Sequence, residues 1–177
     1  MLDVNEPALE ADTGEGGRDF ESFYRDNRRR VVALAYGLTG SASAAEELAQ
    51  EAFLAAFRRW DRIARYDDPG AWVRRVVVNR SVSRVRRAVA EARAMARLRS
   101  RPMRAIELEA HDDEFWRAVR ALPARQAQVI VMHYVDDSTV DDIAAVLGIA
   151  PGTVKATLFQ ARRTLLTSLG CDPEDDE

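Results

Sequence analysis

The apolar residues of this 177-residue chain recur at spacings of three and four, which is the period of one face of an α-helix. The period holds in successive segments of residues 19–90 and 113–169, and helix start and stop signals separate the segments. The sequence contains no alternating strand pattern, no internal repeat and no glycine-rich phosphate loop. These features predict an all-α fold of two small helical domains joined by a flexible linker.

Three helices are predicted in residues 19–90. Ser43 and Glu46 stand three residues apart, which predicts a capping box at the start of a second helix that runs to about Trp60. Asp68-Pro69 predicts the start of the third helix, because aspartate favours the N-cap and proline loses no hydrogen bond at the first helical position. This third helix is expected to continue through three consecutive valines to the end of the segment.

Four further helices are predicted in the second half of the chain. One begins near Phe115 and stops at Pro123, and the next covers residues 124–135. The last two cover residues 139–147 and 151–169, on either side of a glycine turn. The inward positions of the helix over 124–135 are predicted to be Ala127, Val129, Ile130 and Tyr134.

These helices divide the chain into five segments. Residues 1–18 are rich in acids, glycine and alanine without an apolar period, which predicts a disordered lead. Residues 19–90 form the first predicted domain and residues 113–170 the second. Between the two domains, residues 91–112 lose the apolar stripe around a proline and predict a mobile linker. Residues 171–177 predict a disordered acidic tail.

The net charge of -3 averages over very unequal parts of the chain. Between Arg58 and Arg104 there are 15 arginines against four acids, a balance of +11, whereas the remaining residues have a balance of -14. All basic residues except Lys155 are arginines, whose rigid fork of donors suits phosphates and base edges. The basic middle segment therefore predicts a polyanion partner, and the acidic flanks predict a different one.

Composition and spacing disfavour several classes of protein. A single cysteine, Cys171, excludes internal disulfides and a thiolate metal cage within the chain. His111 and His133 have no ligand-spaced neighbours, so no catalytic site, metal or cofactor is expected. No apolar run approaches the roughly 18–20 residues that span a bilayer, and the first ten residues are acidic where a signal peptide would be basic. The chain is predicted to be cytoplasmic and not an enzyme.

Residues 139–155 have the spacing of a helix-turn-helix. Ala144 is small where the two helices would cross, and Gly148 can adopt the positive φ that the turn requires. An ordinary helical hairpin is the alternative, which this combination of residues disfavours. The buried stripe of the second helix is predicted to be Val154, Leu158, Ala161 and Leu165. The opposite face, which would enter the major groove of DNA, presents Thr153, Lys155, Ala156, Thr157, Phe159, Gln160 and Arg163.

The arginine-rich helix that begins at Pro69 is a second candidate surface for nucleic acid. Arginines interleaved with Trp60, Tyr66 and Trp72 suit single-stranded DNA, because arginine binds the backbone and flat rings stack on unpaired bases. Asn79 offers a paired donor and acceptor for a base edge. Valines follow Trp72 at helical spacing, so its position favours the core over a stacking platform.

The second predicted helix has the opposite charge. Its candidate face comprises Glu46, Glu47, Gln50, Glu51 and Leu54. A surface that repels DNA and includes an apolar residue predicts docking to a protein partner. A solvated acidic helix start is the alternative, and it accounts for Glu46 and Glu47 better than for the other three residues.

With these parts in this order, the sequence resembles the sigma-70 family of RNA polymerase sigma factors, in its extracytoplasmic-function (ECF) group and near the SigE-like members. Residues 20–87 resemble sigma region 2, and residues 121–169 resemble sigma region 4. The motifs that carry the resemblance are Gly37-Leu38-Thr39-Gly40, Ala45-Glu46-Glu47-Leu48-Ala49-Gln50-Glu51-Ala52-Phe53-Leu54, Trp60, Asp68-Pro69-Gly70-Ala71-Trp72-Val73, Arg74-Arg75-Val76, Val78-Asn79 and Ala121-Leu122-Pro123-Ala124-Arg125-Gln126.

The resemblance implies a protein that binds core RNA polymerase, recognises the minus-ten and minus-thirty-five promoter elements and promotes DNA opening. The acidic face would dock on the clamp helices of the β′ subunit, and region 4 would sit on the β flap. The minus-ten residues that it implies are Arg65, Tyr66, Asp67, Asp68, Trp72, Arg75, Asn79, Arg80, Ser83, Arg86 and Arg87. The minus-thirty-five residues are Pro151 and Gly152 together with the outward face of the helix-turn-helix. An anti-sigma factor is a further partner that the resemblance allows and the sequence does not identify.

Four positions depart from the family pattern. Ser83 stands where many relatives have Asp or Asn, and Gln160 replaces a common Arg. Ala150 replaces a usual Ser before the recognition helix, which removes an N-cap worth about 1 kcal/mol. Asp137 stands where an apolar residue is usual. These departures predict an unusual promoter preference.

One other function remains open from the sequence. A helix-turn-helix regulator that binds duplex DNA without polymerase would explain the second half of the chain, but it would leave the arginine-rich helix and the acidic face without a role.

Overall fold

The computed structural model describes residues 19–98 and 114–170, which form eight α-helices and no strand. The all-α prediction is therefore confirmed for this part of the chain. The predicted lead, the acidic tail and most of the predicted linker lie outside the described residues. The helices are α1 (Phe20–Thr39), α2 (Ala42–Phe57), α3 (Trp60–Ile63), α4 (Pro69–Leu98), α5 (Glu114–Ala121), α6 (Ala124–Tyr134), α7 (Val140–Leu147) and α8 (Pro151–Ser168).

The turn between α1 and α2 differs from the sequence prediction. Gly40 ends α1 in the left-handed conformation, with φ of 69°, and Ser41 follows with extended backbone. The N-cap of α2 is therefore Ser41, whose hydroxyl accepts a hydrogen bond from the Ala44 amide at 3.4 Å. The predicted capping box of Ser43 and Glu46 is wrong, because Ser43 already lies inside the first helical turn and a cap must stand outside it.

The second predicted helix ends earlier than expected, and the third extends further. Helix α2 stops at Phe57, and the short α3 that begins at Trp60 is a separate element. Helix α4 starts as predicted, since the Asp68 carboxylate accepts a hydrogen bond from the Ala71 amide at 3.0 Å. It continues through the alanine- and arginine-rich stretch to Leu98, because these residues keep a high helix propensity without an apolar stripe.

The second half follows its predicted helices closely. A capping box joins Thr139 and Asp142 at the start of α7, and Gly148 ends this helix with a φ of 66°. Ala150 stands at the N-cap of α8 without a side-chain hydrogen bond, as its lack of a hydroxyl predicts. The predicted stripe of Val154, Leu158, Ala161 and Leu165 is buried.

Tyr134 is the exception among the predicted inward positions of α6. Val129 and Ile130 are buried, but Tyr134 is exposed at the end of the helix. Its hydroxyl accepts a hydrogen bond from Nε of Arg162 at 2.8 Å, and the Arg162 guanidinium lies 5.6 Å from the ring centre. The prediction of an inward tyrosine is wrong because a polar hydroxyl and a cation of α8 are better satisfied at the surface.

One continuous apolar core joins the two halves of the described chain. Helix α1 packs against α2 and α4, and it also contacts α5 and α6 of the second half, while α4 contacts α7. The approach is closest at Gly37, where a Cβ atom would lie only 2.6 Å from Cγ1 of Val131. A side chain at position 37 would therefore force these two helices apart.

No single helix within residues 19–98 and 114–170 is both long enough and apolar enough to cross a membrane. Helices α7 and α8 meet the length and composition criteria only as a pair, and they are bent by 105° relative to each other.

Candidate nucleic-acid interface

Helix α4 presents one outward stripe and one buried stripe. Trp72, Arg75, Asn79 and Ser83 follow one another at spacings of three and four, so they share a face of the helix. Arg75, Asn79 and Ser83 are exposed along this face, whereas Trp72 is half-buried and packs against the core. The structure therefore brings a cation, an amide and a hydroxyl together on one accessible surface. The side chains of Arg86 and Arg87 lie outside the described ones.

Arg74 is not part of this surface although it neighbours Arg75 in sequence. Its side chain is only 5% exposed, and its Nη2 donates a hydrogen bond to Oδ2 of Asp68 at 2.7 Å. Burial raises the pKa of Asp68, but the amide of Ala71 and the Arg74 guanidinium outweigh it and hold this pKa below its ordinary value of 3.8. Asp68, one of the implied minus-ten residues, thus caps α4 and binds Arg74.

The loop before α4 is tied to the protein through Tyr66. Nε of Arg62 donates a hydrogen bond to the Tyr66 hydroxyl at 2.8 Å, and its guanidinium lies 5.9 Å from the ring centre. Arg65 and Asp67 are exposed on either side. This loop consequently offers a cation and a partly accessible ring next to the start of α4.

Trp60 does not contribute a ring to this loop surface. Its ring centre lies 4.7 Å from that of Phe23 and 5.1 Å from that of Phe20, so it is part of an aromatic cluster between α1 and α3. Its interleaving with arginines in the sequence therefore reflects packing.

The predicted docking face of α2 is accessible, and two of its acids are already ion-paired. Arg28 binds both carboxylate oxygens of Glu46 at 3.0 Å, and Arg80 of α4 binds Glu51 at 2.9 Å. Glu47 and Gln50 are exposed, and Leu54 exposes half of its surface.

Phe57 belongs to the same face, and the sequence analysis missed it. It is 55% exposed and stands three residues after Leu54, which places both apolar side chains side by side. That spacing was the signal available in the sequence. Exposed neighbouring apolar residues on a rim of acids are typical of a protein-docking surface.

The recognition face of α8 is exposed from its first turn onwards. Thr153, Lys155, Ala156 and Phe159 lie on the surface, and the Arg163 guanidinium is 5.9 Å from the Phe159 ring centre. No neighbouring heavy atom lies within 4 Å of a Cβ built at Gly152. A DNA backbone can therefore approach the first turn of this helix closely, where backbone amides favour a phosphate.

The same ranges of described residues contain no group of three or more His, Cys, Asp or Glu side chains that could hold a metal ion. The described residues present three exposed faces: an acidic and apolar face on α2, a basic and polar face on α4, and the outward face of α8.

Comparison with known proteins matches the sequence of this chain to one family. The family model described as Sigma-70 region 2 matches residues 23–91, and the model described as Sigma-70, region 4 matches residues 112–165. The chain is 30% identical over 159 residues to the ECF RNA polymerase sigma factor SigM of Mycobacterium tuberculosis, covering 85% of this chain and 77% of that protein. This chain belongs to the ECF RNA polymerase sigma factors.

Other relatives of this sigma factor have similar coverage. The RNA polymerase sigma-E factor of Streptomyces coelicolor is 28% identical over 152 residues, which span 85% of this chain and 86% of the relative. The solved structure of the sigma factor RpoE in complex with the anti-sigma factor NepR, from Bartonella quintana, matches 86% of this chain and 99% of that chain with a TM-score of 0.66 and 23% identity. The structure of CnrH in complex with the cytosolic domain of CnrY matches 85% and 87% with a TM-score of 0.60 and 20% identity. These two likenesses support the fold.

The family determines the general function. As an RNA polymerase sigma factor, the protein binds core RNA polymerase and directs promoter-specific initiation of transcription. The alternative of a helix-turn-helix regulator that acts without polymerase is not favoured, because the chain matches the region 2 model in addition to the region 4 model.

Proposed function

We propose that the three exposed faces divide the work of this sigma factor. The face of α2 docks on the β′ clamp helices of core polymerase, the outward stripe of α4 and the preceding loop capture the opened minus-ten element, and α8 reads the minus-thirty-five element while region 4 sits on the β flap. The chain would act in the cytoplasm, without catalytic activity of its own.

The segregation of charge on neighbouring helices supports this division. Glu47 and Gln50 are exposed on α2, whereas Arg75 and Asn79 are exposed on α4. DNA would be attracted to the second surface and repelled by the first, so a single face cannot serve both partners. Leu54 adds apolar area where a protein partner gains affinity from burial.

The separate roles predict separate losses of function. Leu54→Ala should weaken the affinity for purified core polymerase by about fivefold to tenfold, because it removes buried apolar area at the interface.

Lys155→Ala should leave the affinity for core polymerase unchanged and reduce binding of the minus-thirty-five element by about tenfold. The slope of log affinity against log salt concentration should become shallower by about one, because one cation fewer meets the DNA backbone. Fluorescence anisotropy with labelled sigma factor and in vitro transcription measure the two effects.

Arg25→Ala is the matched control, since Arg25 is an exposed cation of α1 that pairs with Glu21 at 2.8 Å, outside all three faces. It should change neither measurement. If Leu54→Ala binds core polymerase as the unmodified protein does, α2 is not the docking face. If Lys155→Ala loses core affinity as well, the recognition helix has no separate role.

A further inference from the structure

The outward side of α8 begins with small side chains. An α-helix turns by about 100° per residue, so the outward line of α8 runs opposite its buried stripe. Gly152 and Ala156 lie on or near this line in the first and second turns, and both are exposed. Because they present at most a methyl group, the helix can enter the major groove deeply, and side chains of the next turn can then reach the base edges.

Phe159 and Gln160 flank the outward line in that next turn, about 50° to either side of it. Both side chains are exposed, and Phe159 exposes 62% of its surface. The Thr164 hydroxyl donates a hydrogen bond to the backbone carbonyl of Gln160 at 3.0 Å. The side-chain amide of Gln160 has no hydrogen bond to any residue of the described ranges, so its donor and its acceptor both remain available to DNA.

The neighbouring polar side chains of this face discriminate less well between bases. Thr153 lies on the same side of the line as Gln160, but a hydroxyl both donates and accepts and therefore suits more than one base. The Thr157 hydroxyl already donates to the Thr153 carbonyl at 2.7 Å. Lys155 lies about 90° from the outward line, where the phosphate backbone borders the groove. Its cation therefore contributes affinity that does not depend on the sequence.

Arg163 is the other charged residue of the outward face. Its guanidinium lies 5.9 Å from the ring centre of Phe159. A recognition helix inserts its N-terminal end into the groove, and Arg163 stands about 4.5 Å farther along the axis than Gln160. The cation thus meets the DNA closer to the phosphate backbone, and Gln160 closer to the bases.

The chemistry of the Gln160 amide matches one base. Adenine presents the N7 acceptor and the N6 amino donor side by side in the major groove, and a glutamine amide can bind both at once. Guanine presents two acceptors there, N7 and O6, so the amide oxygen would face an acceptor. Phe159 and Ala156 add apolar surface that suits the C5-methyl group of thymine. The third turn of α8 is therefore complementary to an A·T pair.

We propose that Gln160 sets the base specificity of the recognition helix by reading an adenine of the minus-thirty-five element. This inference rests on the proposed assignment of α8 to that element, and it adds the base that the helix recognises. Oε1 of Gln160 accepts a hydrogen bond from the adenine N6 amino group, and Nε2 donates one to N7.

Selection of DNA by the holoenzyme tests this readout. Core polymerase with the full chain selects duplexes from a pool of random sequences long enough to hold both promoter elements, and the enriched duplexes are sequenced. The unmodified protein should enrich adenine at one position of the upstream element. Gln160→Arg should change the preferred base at that position to guanine, because arginine binds O6 and N7 together. The other positions should keep their preferred bases.

Gln160→Ala measures the size of the effect. It should lower the preference for adenine at that position by roughly fivefold or more, because a bidentate contact is lost. Lys155→Ala is the matched control, since it should weaken binding of all sequences alike and leave the preferred base unchanged at every position. Both substitutions place alanine at an exposed position of the same helix, where it favours the helical conformation.

The possible outcomes separate this inference from the proposed function. If the Gln160→Arg holoenzyme prefers the same bases as the unmodified one, Gln160 reads no base and the inference is overturned. A base other than adenine at the responding position of the unmodified selection also overturns it. In both cases an enriched upstream element that Lys155→Ala weakens preserves the proposed role of α8.

Two remaining outcomes are decided in the same experiment. If Gln160→Arg enriches no sequence, the Gln160→Ala selection gives the answer: loss of the adenine preference supports the inference, and an unchanged preference overturns it. If the unmodified holoenzyme enriches no upstream element, the proposed role of α8 fails, and the adenine readout fails with it.

Discussion

Helices α4 and α8, the two helices proposed to face DNA in this sigma factor, begin differently. Each has proline at its first position, but Asp68 caps α4 whereas Ala150 provides no side-chain hydrogen bond to α8. The Asp68 carboxylate already accepts a hydrogen bond from the first turn of α4, so the residues of α4 that are proposed to face DNA lie further along the helix. The first turn of α8 has no such side-chain acceptor, and no neighbouring heavy atom lies within 4 Å of a Cβ at Gly152.

The cations of the two helices also differ in their partners. Arg74 and Arg80 of α4 bind carboxylates of the protein itself. Arg162 and Arg163 of α8 instead lie over the rings of Tyr134 and Phe159. A count of charges along the sequence therefore overstates what α4 offers to DNA, because part of that charge is neutralised inside the molecule.

The largest effect is expected where the two neighbouring arginines of α4 are compared. Arg74→Ala should lower the free energy of unfolding by about 3 kcal/mol or more, because it leaves the buried Asp136 carboxylate with one arginine fewer. Arg75→Ala should change it by less than about 0.5 kcal/mol, since its side chain is exposed. Urea denaturation of the full chain measures both.

DNA binding should reverse the order of these two variants. Arg75→Ala should weaken binding of a minus-ten single strand in the presence of core polymerase, and the folded fraction of Arg74→Ala should bind it normally. Equal losses of stability in the two variants would remove the distinction between an internal and a DNA-facing arginine.

A smaller effect is expected at the starts of α8 and α7. Ala150→Ser should raise the free energy of unfolding by about 1 kcal/mol, because a hydroxyl at the N-cap can accept a hydrogen bond from the first turn of α8. The thermal unfolding midpoint should rise accordingly. Ala145→Ser is not a comparable control, because Ala145 lies exposed inside α7 and not at a helix start. Thr139→Ala is the better comparison, since breaking the capping box of α7 should lower the free energy of unfolding by about 1 kcal/mol. An unchanged midpoint for Ala150→Ser would mean that the start of α8 is already satisfied.

The smallest effect concerns pH. The pKa of Asp68 is lowered in the folded protein, so its contribution to stability is present above the ordinary value of 3.8 and is lost as the pH falls through the folded-state pKa. Asp68→Asn keeps an N-cap acceptor but removes this titration. Urea denaturation from about pH 5 to about pH 3 should therefore give a shallower loss of stability for the variant.

Asp142 provides an internal reference for that measurement. The hydroxyl and amide of Thr139 hold the pKa of Asp142 below its ordinary value in the unmodified protein and in Asp68→Asn alike. The contribution of Asp142 therefore cancels when the two profiles of stability against pH are subtracted. Parallel pH profiles for the two proteins would contradict a stabilising role of the ionised Asp68.

Most helices could be predicted because their signals are local. The Asp68-Pro69 start, the Gly148 turn and the buried stripe of α8 follow from residue type and helical spacing. One error arose where a neighbouring signal competed, at Ser41 and Ser43, which both favour a helix start. Only the left-handed Gly40 selects between them, by setting where the extended backbone ends.

The candidate surfaces were predictable to a lesser degree. The spacing of Arg75 and Asn79 on one face, and of the outward residues of α8, could be derived from the helical period. Phe57 could have been placed on the face of Leu54 by the same reasoning, but the sequence prediction missed it. The assignment of these surfaces to particular promoter elements and polymerase subunits remains a prediction.

The sequence by itself determined the all-α class, the positions of most helices and the membership of the sigma factor family, because helical periodicity and turn residues act over a few neighbouring positions. Only the tertiary structure decided which arginines form ion pairs with carboxylates of the protein itself. Arg30 and Asp136 are 106 residues apart in sequence, and their pairing depends on how α1 and the α6–α7 turn pack. Burial makes Arg74 a structural cation, and Arg75 is left exposed at the surface, although the two are adjacent and chemically identical.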